Sequence, residues 1–161
     1  MILTHRRVLA AIAGSTFFSF ALTIAPLPES LNAFRPDFVA LTLFFWLVSV
    51  PNWIGVAVAW LCGLLLDTLH GSLLGQHALA LTVFAFITLR FHLRIRVFTI
   101  WQELVALFIL LGVYHFLLFW SDGIGNQSVN YGWSHLAQLA ASIAVWPVWV
   151  LMLNTLARRT R

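Results

Sequence analysis

Apolar residues run through this chain in long blocks separated by short polar breaks, at about 8–25, 38–50, 53–70, 75–91, 103–120 and 135–156. A helix crosses a bilayer with roughly 20 residues, in a range near 17 to 25, and four or five of the blocks meet that length directly. The block 38–50 meets it only when its flanks are counted, with Asp37 at one end, Trp53 at the other and Pro51-Asn52 as a tight turn into the next helix. The alternative is a re-entrant hairpin in which the second and third blocks together fail to cross. Either arrangement keeps the number of crossings even, and six is the expected count. The pattern predicts an all-α integral membrane protein, a compact bundle of about six transmembrane helices with residues 1–161 as a single domain. No loop is long enough to fold as a separate soluble unit.

Composition supports a lipid solvent. The chain is 61% hydrophobic and 9% charged, against roughly 25% charged in ordinary soluble domains. A soluble fold of this size has no way to hide so much apolar surface. The basic start Met1–Arg7 followed by Val8–Ala25 is signal-peptide-like, but the apolar stretch is too long for a typical signal core and further spans follow. It is read as an uncleaved first helix.

The net charge of +4 comes with nine arginines and no lysine. They form short clusters between apolar blocks rather than one basic face, which is the distribution of orientation signals and not of a nucleic-acid binder. Arg6 and Arg7 precede the first block; Arg90, Arg94 and Arg96 separate the fourth from the fifth; Arg158, Arg159 and Arg161 follow the sixth. Six crossings put all three clusters on one side, expected to be the cytoplasm, together with both termini. Only Arg35 falls on the other side, whereas an odd count would split the clusters. The external loops are then Pro26–Asp37, a short turn near Gly71–Gly75, and the polar, glycine-rich Ser121–Ser134.

Tryptophans refine the depths. Trp53, Trp101, Trp120 and Trp133 lie near span ends, where indoles anchor among headgroups; Trp46, Trp60, Trp146 and Trp149 are deeper and expected to pack. Pro147 should bend the sixth helix and free the carbonyl of Ile143. Cys62 is the single cysteine, which leaves no internal disulfide or metal framework, and it reads as a small core residue.

The stretch Leu61-Cys-Gly-Leu-Leu-Leu-Asp67-Thr-Leu-His-Gly-Ser-Leu-Leu-Gly-Gln-His77 carries the candidate chemistry. It sets one carboxylate in an apolar run, at a cost of several kcal/mol unless the acid is paired, hydrated or protonated. Asp67 is expected toward the outer leaflet, where three roles are open: an ion pair with Arg35, proton or cation handling, and capping of the turn around Gly71. The pair with Arg35 is the favoured one. Gly63, Gly71 and Gly75 recur at intervals of eight and four, a spacing that lets another backbone approach closely. Pro36 suits a first helical turn and Asp37 the positive end of a helix dipole, so Asp37 reads as a helix-start residue. His70 and His77 are not expected to form a metal site. His115 is expected to hydrogen-bond to a neighbouring helix, and Glu103 to pair with the Arg90–Arg96 cluster. No nucleophile motif, metalloprotease motif or phosphate loop is present, and no cofactor or enzymatic activity is expected.

Phe34-Arg-Pro-Asp37, the Val50-Pro-Asn52 turn, Gly63-Leu-Leu-Leu-Asp67, Gly71-Ser-Leu-Leu-Gly75-Gln-His-Ala-Leu79, Arg90-Phe-His-Leu-Arg-Ile-Arg96 and Trp101-Gln-Glu103 together resemble the rod shape-determining MreD family. The resemblance implies a subunit of the bacterial inner membrane, within the elongation machinery that builds lateral peptidoglycan. Its implied partners are the bitopic protein MreC and, through it, the MreB filament, the glycosyltransferase RodA and a class B penicillin-binding transpeptidase. It also implies a fold similar to the substrate-binding subunits of energy-coupling-factor transporters, and so an alternative function as a small-solute or lipid-binding transporter subunit. On the scaffold reading, the bundle offers a partner helix a groove of small residues drawn from Gly14, Gly55, Gly63, Ala57, Ala59, Ala137, Ala140, Ala141 and Ala144. Internal packing of the bundle is an equal use for them. Arg90, Arg94 and Arg96 are expected to meet membrane lipid or a cytoplasmic partner.

Overall fold

The computed structural model describes residues 2–25, 34–72, 74–124 and 132–158. Outside them lie most of the first external loop, Leu73, residues 125–131 of the third loop, and Arg159 and Arg161. Among the described residues there are six α-helices and no strand: α1 (Ile2–Ile24), α2 (Phe38–Ser49), α3 (Val56–His70), α4 (Gln76–Ile95), α5 (Ile100–Ile124) and α6 (Gly132–Arg158). Four of them contain an apolar stretch long enough to cross a membrane: Arg6–Ile24, Gln76–Ile95, Ile100–Ser121 and Leu136–Arg158. The all-α, multi-pass architecture read from the apolar blocks is therefore what the chain forms.

The second and third blocks differ from the rest. With 12 and 15 residues, α2 and α3 are about 18 and 22 Å long, against a hydrocarbon thickness of about 30 Å. They are joined through Val50–Gly55 but do not pack on each other as a hairpin: α3 lies mainly against α4, and α2 against α1, α4 and α6. Instead of flanking residues extending α2, Asp37 is its N-cap and Val50 its C-cap. Helix α2 is also the core element, since every residue from Val39 to Val48 is buried. A helix apolar all round is covered all round, and α1, α4 and α6 do the covering. In contrast, α5 and α6 run to Ile124 and from Gly132, so helix replaces both ends of the expected Ser121–Ser134 loop.

Side-chain pairings fix the direction of each helix. Antiparallel to α2, α1 places Ser15 beside Trp46 and Ser19 beside Thr42. Phe44 meets Phe84 of α4, while Asp37 meets Ser142 and Thr42 meets Trp149 of α6. Helix α6 therefore runs parallel to α2, and so does α4, whose first turn reaches Tyr114 beside the His115 that meets Asp37 at the start of α2. Gln76 reaches the carbonyl of Leu118, which sets α5 antiparallel to α4. Successive helices alternate, so Arg6 and Arg7, the Arg90–Arg96 turn and Arg158 lie at one end of the bundle and Arg35 at the other, as the charge pattern requires.

A polar seam ties α1, α2 and α6 together inside the apolar core. Trp46 Nε1 donates to Ser15 Oγ at 2.8 Å, Ser19 and Thr42 hydroxyls lie 2.6 Å apart, and Trp149 Nε1 donates to Thr42 Oγ1 at 3.1 Å. Thr42 serves two helices at once and is fully buried. Thr42→Val keeps the shape and removes the acceptor, so thermal unfolding in nanodiscs should show a loss of about 1–2 kcal/mol. An unchanged melt would mean that the seam adds nothing to stability.

Tryptophan depths divide. Trp46, Trp146 and Trp149 are buried, and Trp53, Trp101 and Trp120 are exposed, as their positions suggested. Trp60 is the correction: it is 47% exposed, at the edge of the α3 face that packs on α4. The side chain of Trp133 lies outside the described residues. Cys62 is buried.

Candidate functional site

Asp67 is fully buried and every one of its partners belongs to the turn and helix that follow it. Its Oδ1 accepts from the backbone N–H of His77 at 2.8 Å, from His77 Nδ1 at 2.9 Å and from Ser72 Oγ at 3.1 Å. Its Oδ2 accepts from the N–H of Gly75 at 2.8 Å and of Ala78 at 3.4 Å. The first N–H groups of any helix lack intrahelical acceptors, and a side chain at the N-cap usually supplies one. Here the N-cap is Gly75, which has no side chain, and the acid of the preceding helix takes its place. The positive end of the α4 dipole adds to the stabilisation of the carboxylate.

The sequence around the acid makes this geometry possible. Gly71 terminates α3 in the left-handed region (φ 64°), and Gly75 starts α4 at φ 105°, a conformation that non-glycine residues rarely adopt. These two glycines shape the turn. Only Gly63 serves close approach: a Cβ added there would lie 2.6 Å from the backbone N of Ala78 and 2.7 Å from the carbonyl oxygen of His77. The missing side chain lets α3 lie against the first turn of α4, which brings Asp67 within reach of the N–H groups.

The expected ion pair between Asp67 and Arg35 does not form. The Arg35 guanidinium donates instead to the carbonyls of Thr23 and Ala25, at the end of α1, where unpaired carbonyls and the negative end of the helix dipole attract a cation. Lying at the same end of the bundle did not place the two residues together.

Asp37 marks the start of α2 as expected, but its carboxylate does not cap that helix. It turns to α5 and α6. His115 Nε2 lies 3.2 Å from Asp37 Oδ2, and the Asp37 N–H donates to Ser142 Oγ at 2.9 Å. The Ser142 hydroxyl also faces the carbonyl of Gln138 at 2.8 Å, and the Gln138 side chain reaches His115. Pro36 holds the approach, with its carbonyl accepting from the N–H of Phe38 at 2.9 Å. The neighbouring-helix partner expected for His115 is thus Asp37, three helices earlier in the chain.

Two acid–histidine pairs therefore stand at the end of the bundle away from most arginines, with consecutive residues of α5 between them. Tyr114 is buried, with its ring 6.5 Å from His77 and 5.2 Å from that of His115. His70 stacks on His77 at 5.1 Å. Ser72, His77, Tyr114, Gln138 and Ser142 were not singled out as partners of the acids by sequence. The available signal was Gly75, a helix start with no side chain of its own and an acid one helix earlier.

Chemically, the assembly locks elements together. Ser72, His77 and Asp67 combine the residue types of a nucleophilic triad, but Ser72 Oγ (3.3 Å) and Asp67 both face Nδ1 of His77. In a working triad the base uses its other nitrogen toward the serine. No group of three or more His, Cys, Asp or Glu able to hold a metal occurs among the described residues. Glu103 departs from expectation as well: among the described residues it makes no ion pair with the Arg90–Arg96 cluster, and its carboxylate faces the Trp146 indole on α6 without a formed hydrogen bond.

Comparison with known proteins agrees with these elements over nearly their whole length. The family model described as rod shape-determining protein MreD matches residues 5–156, from the first turns of α1 to the last of α6. The chain belongs to the MreD family. The rod shape-determining protein MreD of Haemophilus influenzae is 28% identical over 141 residues, covering 88% of this chain and 86% of that protein. No solved structure matches. Membership of the MreD family assigns the chain a role in determining cell shape, as a multi-pass membrane protein associated with the elongation machinery.

Proposed function

We propose that this MreD-family chain is a non-catalytic scaffold of the bacterial inner membrane, with both termini in the cytoplasm. It holds the single transmembrane helix of an MreC-type partner and, through that partner, engages the MreB filament, RodA and the class B penicillin-binding transpeptidase. The observation that carries this reading is the family match from α1 to α6 together with the use of buried Asp67 and half-buried Asp37 to join helices. Both carboxylates are engaged by groups of neighbouring helices, and a rigid bundle is what a docking platform requires.

Burial sorts the candidate groove residues. Gly63 and Ala59 are used inside, against the bundle's own helices. Ala140 and Ala144 are exposed one turn apart on α6, with Val148 and Leu151 continuing the same outward face. Small residues four apart on a lipid-facing surface allow a second helix to approach closely. This face is the proposed seat. Ala140→Leu with Ala144→Leu should cut recovery of the partner at least tenfold in a nanodisc pull-down, with the melting temperature of the free chain unchanged. Undiminished recovery would remove α6 from the interface.

A further inference from the structure

The geometry points to a bound anionic phospholipid on α4, with its phosphate held by Arg90 and Arg94 and an acyl chain lying along Phe86 and Leu79. Arg90 and Arg94 are one helical turn apart and both exposed. Neither makes an ion pair or side-chain hydrogen bond among the described residues, nor does Arg96 nearby. The acid closest in sequence, Glu103, is turned to Trp146, so among the described residues these cations have no counter-charge.

Apolar exposure continues the same stripe. Leu79, Phe86 and Leu93 are 56–70% exposed, and at about 100° per residue they fall with Arg90 and Arg94 in one arc of roughly 100°. Phe86 is one turn deeper than Arg90, and Leu79 about two turns deeper again. Arg90 lies five residues before the end of α4, about 8 Å along the axis, a depth from which its guanidinium snorkels to the headgroup level. Trp101, 75% exposed just beyond the turn, adds an indole of the kind that sits among headgroups.

A lipid matches this order, with hydrocarbon at Leu79 and Phe86, a phosphodiester at the arginines and an interfacial ring beside it. A soluble acidic protein would engage the arginines and leave the deeper half of the stripe unmatched. A phospholipid with net negative charge, of the phosphatidylglycerol class, is therefore the occupant.

The test is competitive lipid exchange on the purified chain in nanodiscs of phosphatidylcholine with added phosphatidylglycerol, with retained lipid read by native mass spectrometry. Each arginine near an anionic headgroup is worth about fivefold in binding, so Arg90→Gln with Arg94→Gln should weaken phosphatidylglycerol retention roughly 30-fold. Arg6→Gln with Arg7→Gln, at the same end of the bundle but off the stripe, should change it less than about twofold. Arg90→Lys with Arg94→Lys keeps the charge and controls for folding, and it should remain within about threefold of wild type. The proposal is overturned if the Arg6/Arg7 variant loses lipid equally, which would mean diffuse attraction to the headgroup layer. It is also overturned if the lysine variant loses as much as the glutamine variant, if phosphatidylcholine is retained equally, or if the glutamine variant keeps its lipid and loses only a soluble protein.

Discussion

Asp67→Ala is expected to lower the stability of the bundle by about 3–5 kcal/mol, since it leaves several buried donors unsatisfied at about 1–3 kcal/mol each. The substitution strands the N–H groups of Gly75, His77 and Ala78 and the imidazole of His77, all of which Asp67 now satisfies. Alanine brings no acceptor, and Gly75 has no side chain to replace it. Asp67→Asn is expected to lose less, about 1–3 kcal/mol, because its carbonyl still accepts while its amide group faces other donors. Tryptophan-monitored thermal unfolding in nanodiscs separates the two. An Asp67→Ala chain within about 1 kcal/mol of wild type would show that the clamp adds no more than an ordinary hydrogen bond.

Gly63 carries the second large effect. Gly63→Leu should prevent α3 from seating on α4, and even Gly63→Ala should cost about 1–3 kcal/mol by overpacking. The atoms that a new Cβ would meet are the backbone N of Ala78 and the carbonyl oxygen of His77, which have no rotamer to move aside. Separating the helices also pulls Asp67 from its donors, so the two lesions should not add: the Gly63→Ala/Asp67→Ala double variant should be less destabilised than the sum of the singles. Gly14→Ala is the matched control. Gly14 has open space around it, and alanine there should be neutral or stabilising by up to about 1 kcal/mol. Equal losses at positions 14 and 63 would contradict the close approach of α3 and α4.

Periodic and compositional features were legible in the sequence; specific long-range partners were not. The apolar blocks located six helices, and the arginine clusters gave their alternating directions, because both depend on the chain's relation to a lipid layer rather than on any one contact. Helix α2 is shorter than its apolar block and flanks suggest, because Asp37 and Val50 are its caps. Asp67 was matched to Arg35 because both belong to the same end of the bundle, yet that end is wide enough to hold two separate clusters. The carboxylate is satisfied mainly by backbone N–H groups, and every residue but proline offers one of those whatever its side chain. A rule would have helped: when a helix starts at glycine, the acceptor for its first N–H groups is sought on the preceding element. His115 and Asp37 illustrate a different limit. His115 is expected to meet a neighbouring helix and Asp37 to start one, but pairing them requires the start of α2 to stand beside α5, which no local pattern specifies.

Asp67 and Asp37 thus hold the bundle's own helices, while the proposed partner surfaces are the small-residue face of α6 and the basic stripe of α4. This division is the centre of the account, and co-reconstitution tests it most directly. The chain and a purified MreC-type bitopic partner would be combined in nanodiscs and the stoichiometry of the eluted particles measured. The account predicts one co-eluting complex for wild type, lost when Ala140 and Ala144 are both leucine. A wild-type chain that elutes without the partner would contradict it.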